Sequence, residues 1–198
     1  MKATILFLTL AMLFAGCSRK AESMIDKGLS TNNFSGFTRY TIQQGNQYCD
    51  ESGYAMVETN EMKFIVKFDS SAIYETMHPE NQNDINKLFG FSDNNTDHHQ
   101  FSARIGWRWS DDALRLFAYV YNNGTRVSKE LLTVRLGDEI NCSIEVNRGS
   151  YVFHVNGITA QMPRLATTEK AKGYQLYPFF GGDESAPHQV NIWIKRVE

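Results

Sequence analysis

From Phe37 onward, apolar and polar side chains alternate with a period of two, the spacing of a strand with one dry and one wet face. Met62, Phe64, Val66 and Phe68 share a face, with Lys63 and Lys67 on the other. Phe101, Ala103, Ile105, Trp107 and Trp109 oppose Ser102, Arg104, Gly106 and Arg108. Leu114, Leu116, Ala118 and Val120 oppose Arg115, Phe117, Tyr119 and Tyr121. The same alternation runs through Ile140–Asn147, Tyr151–Val155 and Val190–Lys195. Between these runs lie Asn122-Asn123-Gly124, Asn147-Arg148-Gly149 and Asn156-Gly157, residues that tolerate the positive φ of tight hairpins. Long helical periodicity is absent. One short helical turn is expected over Pro79–Phe89, with Pro79 at its start and Gly90 as its stop. The pattern predicts an all-β domain, an antiparallel β-sandwich over residues 36–198.

The chain before it reads differently. Met1-Lys2 is followed by an uncharged, almost wholly apolar run from Ala3 to Gly16. As a helix that run reaches about 21 Å, short of the roughly 30 Å hydrocarbon core of a membrane. It has the length and flanks of a secretory signal. Leu13-Phe14-Ala15-Gly16-Cys17 resembles the lipobox of bacterial lipoproteins, with Phe14 where that family usually has Leu. The resemblance implies that residues 1–16 are a signal peptide and that Cys17 carries the lipid. The chain would then be exported and anchored through acyl groups to the cell envelope, at the outer membrane or cell surface. Residues 17–35 are polar and lack a strand pattern, and are expected to form a flexible tether.

Three stretches of the domain resemble the concanavalin-like jelly roll of lectins and glucanases. They are the hairpin of RLGDEINCSIEVN and SYVFHVNG within Arg135–Gly157, the YPFFGG of Tyr177–Gly182, and the closing strand VNIWIKRV. The resemblance implies the sandwich topology, with one sheet face as the usual ligand site. It implies no activity by itself.

A formal net charge of −2 over 198 residues removes nucleic acid as a partner, since a phosphate backbone needs a clear cationic footprint. A 13% aromatic content suits both β domains and sugar-binding surfaces. Cys49 and Cys142 are either a disulfide of an oxidising compartment or two buried thiols.

If the strands of Arg104 and Tyr119 pair, then Arg104, Arg108, Arg115, Tyr119 and Tyr121 share one surface. Tyrosine rings stack on sugar C–H faces, and arginines grip hydroxyls or carboxylates. His98 and His99 enter the Phe101 strand and are candidate ligand contacts. On a strand adjacent side chains diverge, so two neighbouring imidazoles could meet one metal only from a loop. Asp93, Asn95 and Asp97 present oxygens at alternate positions, the basis of a Ca²⁺ expectation. An EF-hand is excluded, because His98 and Arg104 stand where Gly and Glu are required. Asp183, Glu184 and His188 lie in a glycine-led loop that is either a ligand site or an ordinary connection.

Catalytic motifs are not evident. No Glu-x-Asp-x-x-Glu run, nucleophile elbow, phosphate loop or His-Glu-x-x-His is present. The first expectation is therefore a non-catalytic, carbohydrate-binding envelope lipoprotein without a cofactor. The alternatives are a polysaccharide-active hydrolase or lyase of concanavalin-like fold, and a structural or protein-interaction lipoprotein.

Overall fold

The computed structural model describes residues 34–198. The signal, Cys17 and all but the last two residues of the expected tether lie outside the described residues. Phe34, one of those two, stacks on Trp193 with ring centroids 4.6 Å apart, so packing on the sandwich begins before residue 36.

The strands are β1 (Thr38–Ile42), β2 (Met56–Thr59), β3 (Glu61–Phe68), β4 (Asn86–Ser92), β5 (Phe101–Ser110) and β6 (Ala113–Asn122). They continue with β7 (Thr125–Val134), β8 (Ile140–Asn147), β9 (Ser150–Val155), β10 (Ile158–Pro163), β11 (Ala171–Leu176) and β12 (Val190–Val197). One antiparallel sheet has the order β1-β12-β3-β8-β9-β10, the other β2-β11-β4-β5-β6-β7. The expected antiparallel β-sandwich is the observed fold. Three hairpins turn on paired left-handed residues: Asp111-Asp112 (φ 51° and 53°), Asn123-Gly124 (49° and 78°) and Asn156-Gly157 (45° and 86°). Such turns match the right-handed twist of the strands they join.

The predicted dry faces meet between the sheets. Phe64, Val66 and Phe68 of β3, Ile140 and Ile144 of β8, Ile192 of β12, Ile105 and Trp107 of β5, and Leu114 and Leu116 of β6 are all buried in one core. Trp109 is only partly buried against it. Cys142 sits in this core and Cys49 follows β1, and both are free thiols.

Two expectations fail together at residues 79–92. A 3-10 turn occupies only Pro79–Asn83, and β4 begins at Asn86. Gly90 is no helix stop but lies inside that strand. A Cβ there would stand 2.1 Å from the Ala103 carbonyl and 2.7 Å from Arg104 Cα. The strand is central and buried, so its sequence lacks the alternation that marks half-exposed strands.

A buried ion pair ties the sheets at one end. Asp93, directly after β4, accepts from Arg164 Nε at 2.8 Å and from the Tyr151 hydroxyl at 2.7 Å. Arg164 Nη2, Thr168 Oγ1 and the backbone N–H groups of Asn94 and Lys172 also donate to it. The side chains are 2% and 0% exposed, and each charge has its partner. Removing one partner strands the other charge in the core. Asp93→Ala is expected to cost about 3–5 kcal/mol. Gly90→Ala, forced against backbone, is expected to cost about 1–3 kcal/mol. Chemical denaturation of the two variants measures both, and a loss below measurement error in either contradicts the geometry.

Candidate functional site

The β5–β6 register aligns Ser102 with Tyr121, Arg104 with Tyr119 and Arg108 with Arg115. The expected shared surface therefore exists, on the face of the β4-β5-β6 sheet that points away from the core. The structure divides it. Arg104, Tyr119, Tyr121, His98 and His99 line a cleft of about 450 Å³. Arg108 and Arg115 lie farther along the strands and are engaged within the protein. Arg108 lies over the Phe117 ring and donates to the Asn83 carbonyl at 2.8 Å. Arg115 pairs with Glu130 at 2.9 Å and Asp111 at 3.0 Å.

Arg104 forms the cleft floor. It can lie there because Gly90, opposite it on β4, has no side chain to occupy the space. Arg104 is 5% exposed, and its Nε has no hydrogen-bond partner. None of the ion pairs among the described residues includes it. Its guanidinium stands 5.2 Å from the Tyr119 ring centroid. Burial pulls its pKa below the ordinary arginine value. Arg164, equally buried, is paired with Asp93 and also donates to Thr168 Oγ1 and the Lys170 carbonyl, so this fold can neutralise a buried arginine when the position is structural.

Lys87 joins Arg104 through a register shift. A bulge between Lys87 and Phe89 puts the lysine on the cleft face while Phe89 stays in the core. Its Nζ donates to the Gly181 carbonyl at 2.6 Å and lies 5.7 Å from the Tyr119 ring. Burial first, and the Arg104 charge second, lower its pKa to about 8. The Tyr119 hydroxyl is pushed up to about 12, chiefly by burial and then by its hydrogen bond with Tyr121. Arg126, opposite Tyr121 on β7, adds a third cation to the lining.

The two histidines sit in a turn, not on the strand. Gln100 N–H bonds the Asp97 carbonyl, and the His99 N–H donates to Asp97 Oδ1 at 2.8 Å. The turn brings the imidazoles onto one side, with centroids 4.1 Å apart. His98 Nδ1 lies 2.9 Å from the Tyr174 hydroxyl. Burial, then Arg104 and His99, lower the His98 pKa to about 4, so the ring is neutral at pH 7.

Donor atoms of Asp97, His98 and His99 lie within 4.8 Å of one another, close enough to share one ion. Each, however, already has an internal partner. Asp97 holds the turn, His98 holds Tyr174, and Arg104 and Lys87 set a positive field against a cation. The oxygen set behind the Ca²⁺ expectation is not gathered: Asp93 turns inward to Arg164, while Asp97 turns to the histidines. In the glycine-led loop, Asp183 lines the cleft. Glu184 instead accepts from the Met77 and His78 N–H groups, and His188 bonds the Ser71 carbonyl.

Sequence reasoning missed Lys87, Tyr174, Arg126 and Tyr48. Lys87 is hidden by the bulge. Tyr174 belongs to β11, whose buried positions include Gly173 and Gln175 where an apolar pair would have signalled a strand.

No family model matches this chain, and no curated protein matches it. Solved structures do. Alginate lyase AlyC3 aligns over 83% of this chain and 75% of its own, with TM-score 0.55 and 9% identity. The catalytic domain of an endo-1,3-β-glucanase (laminarinase) from Thermotoga petrophila aligns over 81% and 75%, with TM-score 0.52 and 12% identity. A substrate complex of the family 7 alginate lyase A1-II′ aligns over 83% and 80%, with TM-score 0.50 and 15% identity. Identities this low speak to architecture alone: the domain has the jelly-roll fold of these proteins.

Proposed function

We propose that this domain binds an acidic polysaccharide, with a sugar carboxylate seated on Arg104. The observation that supports this most directly is the buried guanidinium on the cleft floor, whose Nε has no hydrogen-bond partner and which no carboxylate among the described residues pairs. An unpaired buried charge costs several kcal/mol. A cation–π contact with Tyr119 returns about 2 kcal/mol of this. A carboxylate supplied by a ligand offsets the rest through charge-assisted hydrogen bonds. Lys87 and Arg126 reinforce the preference for an anion, and the cleft tyrosines suit sugar ring faces. A carbohydrate ligand accords with the fold, which alginate lyases and a laminarinase share.

The Arg104→Met variant tests this, because an apolar chain of similar size leaves the core satisfied. Losing a charge-assisted contact of about 1.5–3 kcal/mol is expected to weaken polyuronate binding roughly 10- to 100-fold. Isothermal titration calorimetry reads the change, and unaltered affinity removes the proposal. The pH response has a defined sign. Lys87 is cationic below about 8 and neutral above it. Affinity for the anion is therefore expected to hold through pH 7 and to fall as pH rises past 8. In Lys87→Arg, which keeps its charge, the fall disappears.

A second reading adds chemistry at the same place: eliminative cleavage of the bound uronate. The Tyr174–His98 pair, 2.9 Å apart beside Arg104, favours it. A carboxylate neutralised by Arg104 acidifies the C–H next to it. The Tyr–His pair can take that proton and return one to the leaving glycosidic oxygen. Cleavage leaves a conjugated double bond that absorbs in the ultraviolet. Tyr174→Phe is expected to abolish this signal while retaining binding, and no signal from the unaltered protein leaves binding alone.

The lipobox-like Leu13–Cys17 segment supports placing the domain at the cell envelope, held by acyl groups on Cys17. In a bacterial host, Cys17→Ala is expected to shift the protein from the detergent phase to the aqueous phase. Identical partitioning of both forms rules out the anchor.

A further inference from the structure

Lys87, Arg104 and Arg126 rise from β4, β5 and β7, with the His98–His99 turn beside them. Lys87 borders the rest of the lining: its backbone pairs with Phe179 and its Nζ donates to the Gly181 carbonyl. Tyr48, Gly182 and Asp183 continue from there, and Asp183 brings the one carboxylate. The cleft does not end there. Tyr48 and Asp183 also line a second depression of about 520 Å³, completed by Gly45, Asn46, Gln47 and Ser185. Among these residues the one formal charge is that of Asp183. The two hollows share Tyr48 and Asp183, and the three cations line only the first.

Tyr48 stands at the join. It is 71% exposed, so its ring is open to solvent. It is not loose. Its ring meets Phe179 edge-on at 4.9 Å, and its backbone bridges to the same residue. A fixed, exposed ring beside amide and hydroxyl groups is a platform for the apolar face of a sugar. Gln47 is committed, since its Nε2 donates to the Gly182 and Glu184 carbonyls. Asn46 and Ser185 remain to meet sugar hydroxyls or an acetamido group.

We infer that the ligand is a polysaccharide in which an acidic residue is followed by a neutral one, with the uronate on Arg104 and the neutral sugar on Tyr48. This rests on the acidic-glycan reading above and narrows its substrate class. A homopolymeric uronate would bring its second carboxylate to the hollow that holds Asp183. Two like charges brought together there select against that polymer, as repulsive elements do at specific interfaces. A neutral residue meets no such penalty and gains the tyrosine face.

The experiment uses the intact protein and three sets of oligosaccharides of matched length: homopolymeric uronate, alternating uronate and neutral hexose or N-acetylhexosamine, and neutral glucan. Calorimetric titration is expected to give the alternating set about tenfold tighter binding than the homopolymer, and no binding of the glucan. Asp183→Asn is expected to raise homopolymer affinity and close that gap. Tyr48→Ala is expected to weaken the alternating oligosaccharide while sparing a single free uronate. Equal or tighter homopolymer binding by the unaltered protein overturns the inference but leaves acidic-glycan binding standing. So does a gap that survives Asp183→Asn. Silence from every acidic oligosaccharide overturns both.

Discussion

The burial of Arg104 without an acidic partner governs how this molecule is to be understood. A guanidinium in a β-sheet floor is tolerable only where a neighbouring strand gives way. Here Gly90 does so, since any side chain at that position would collide with Ala103 and Arg104. The charge is then cradled by the Tyr119 ring, and its Nε has no hydrogen-bond partner. Lys87, raised to the same surface by a bulge, loses part of its basicity to that neighbour. The neutrality of His98 follows from the same source, because burial and Arg104 both oppose its protonation. One unneutralised cation thus sets the electrostatic character of the whole cleft.

The fold was legible where apolar and polar residues alternate, whether the polar side faces solvent, as in β8, or is itself covered, as in β5 and β6. β3, β5, β6, β8, β9 and β12 each carry a strict two-residue alternation, and each was placed on its true core face. Among the strands that escaped, three lack alternation for a physical reason. β4 is buried on both sides and broken by a bulge, so Asn86–Ser92 reads as a short apolar run. β11 puts glycine and glutamine at buried positions. β7 is an edge strand, exposed along most of its length, and its polarity concealed it.

The site followed the same divide. Arg104, Tyr119 and Tyr121 could be named because β5 and β6 are regular and pair in the expected register. Arg108 and Arg115 had the same pattern but lie where acids, carbonyls and an aromatic ring of the protein satisfy them. A period-two pattern gives the face of a sheet but not the position along it. Lys87 reaches the cleft from β4, and Tyr174 reaches the His98 ring from β11, a neighbour that only the completed sheet order β11-β4-β5 supplies.

Asp93 has a role larger than joining two sheets. It is the first residue of the segment that ends in the His98–His99 turn, and its backbone N–H is fixed to the Phe101 carbonyl. The clasp that Arg164 and Tyr151 close on it therefore also immobilises the rim of the cleft. Rigidity of the cleft rim and cohesion of the sandwich are properties of one bond network. Sequence drift that loosened Arg164 would blur the histidine rim before it unfolded the domain.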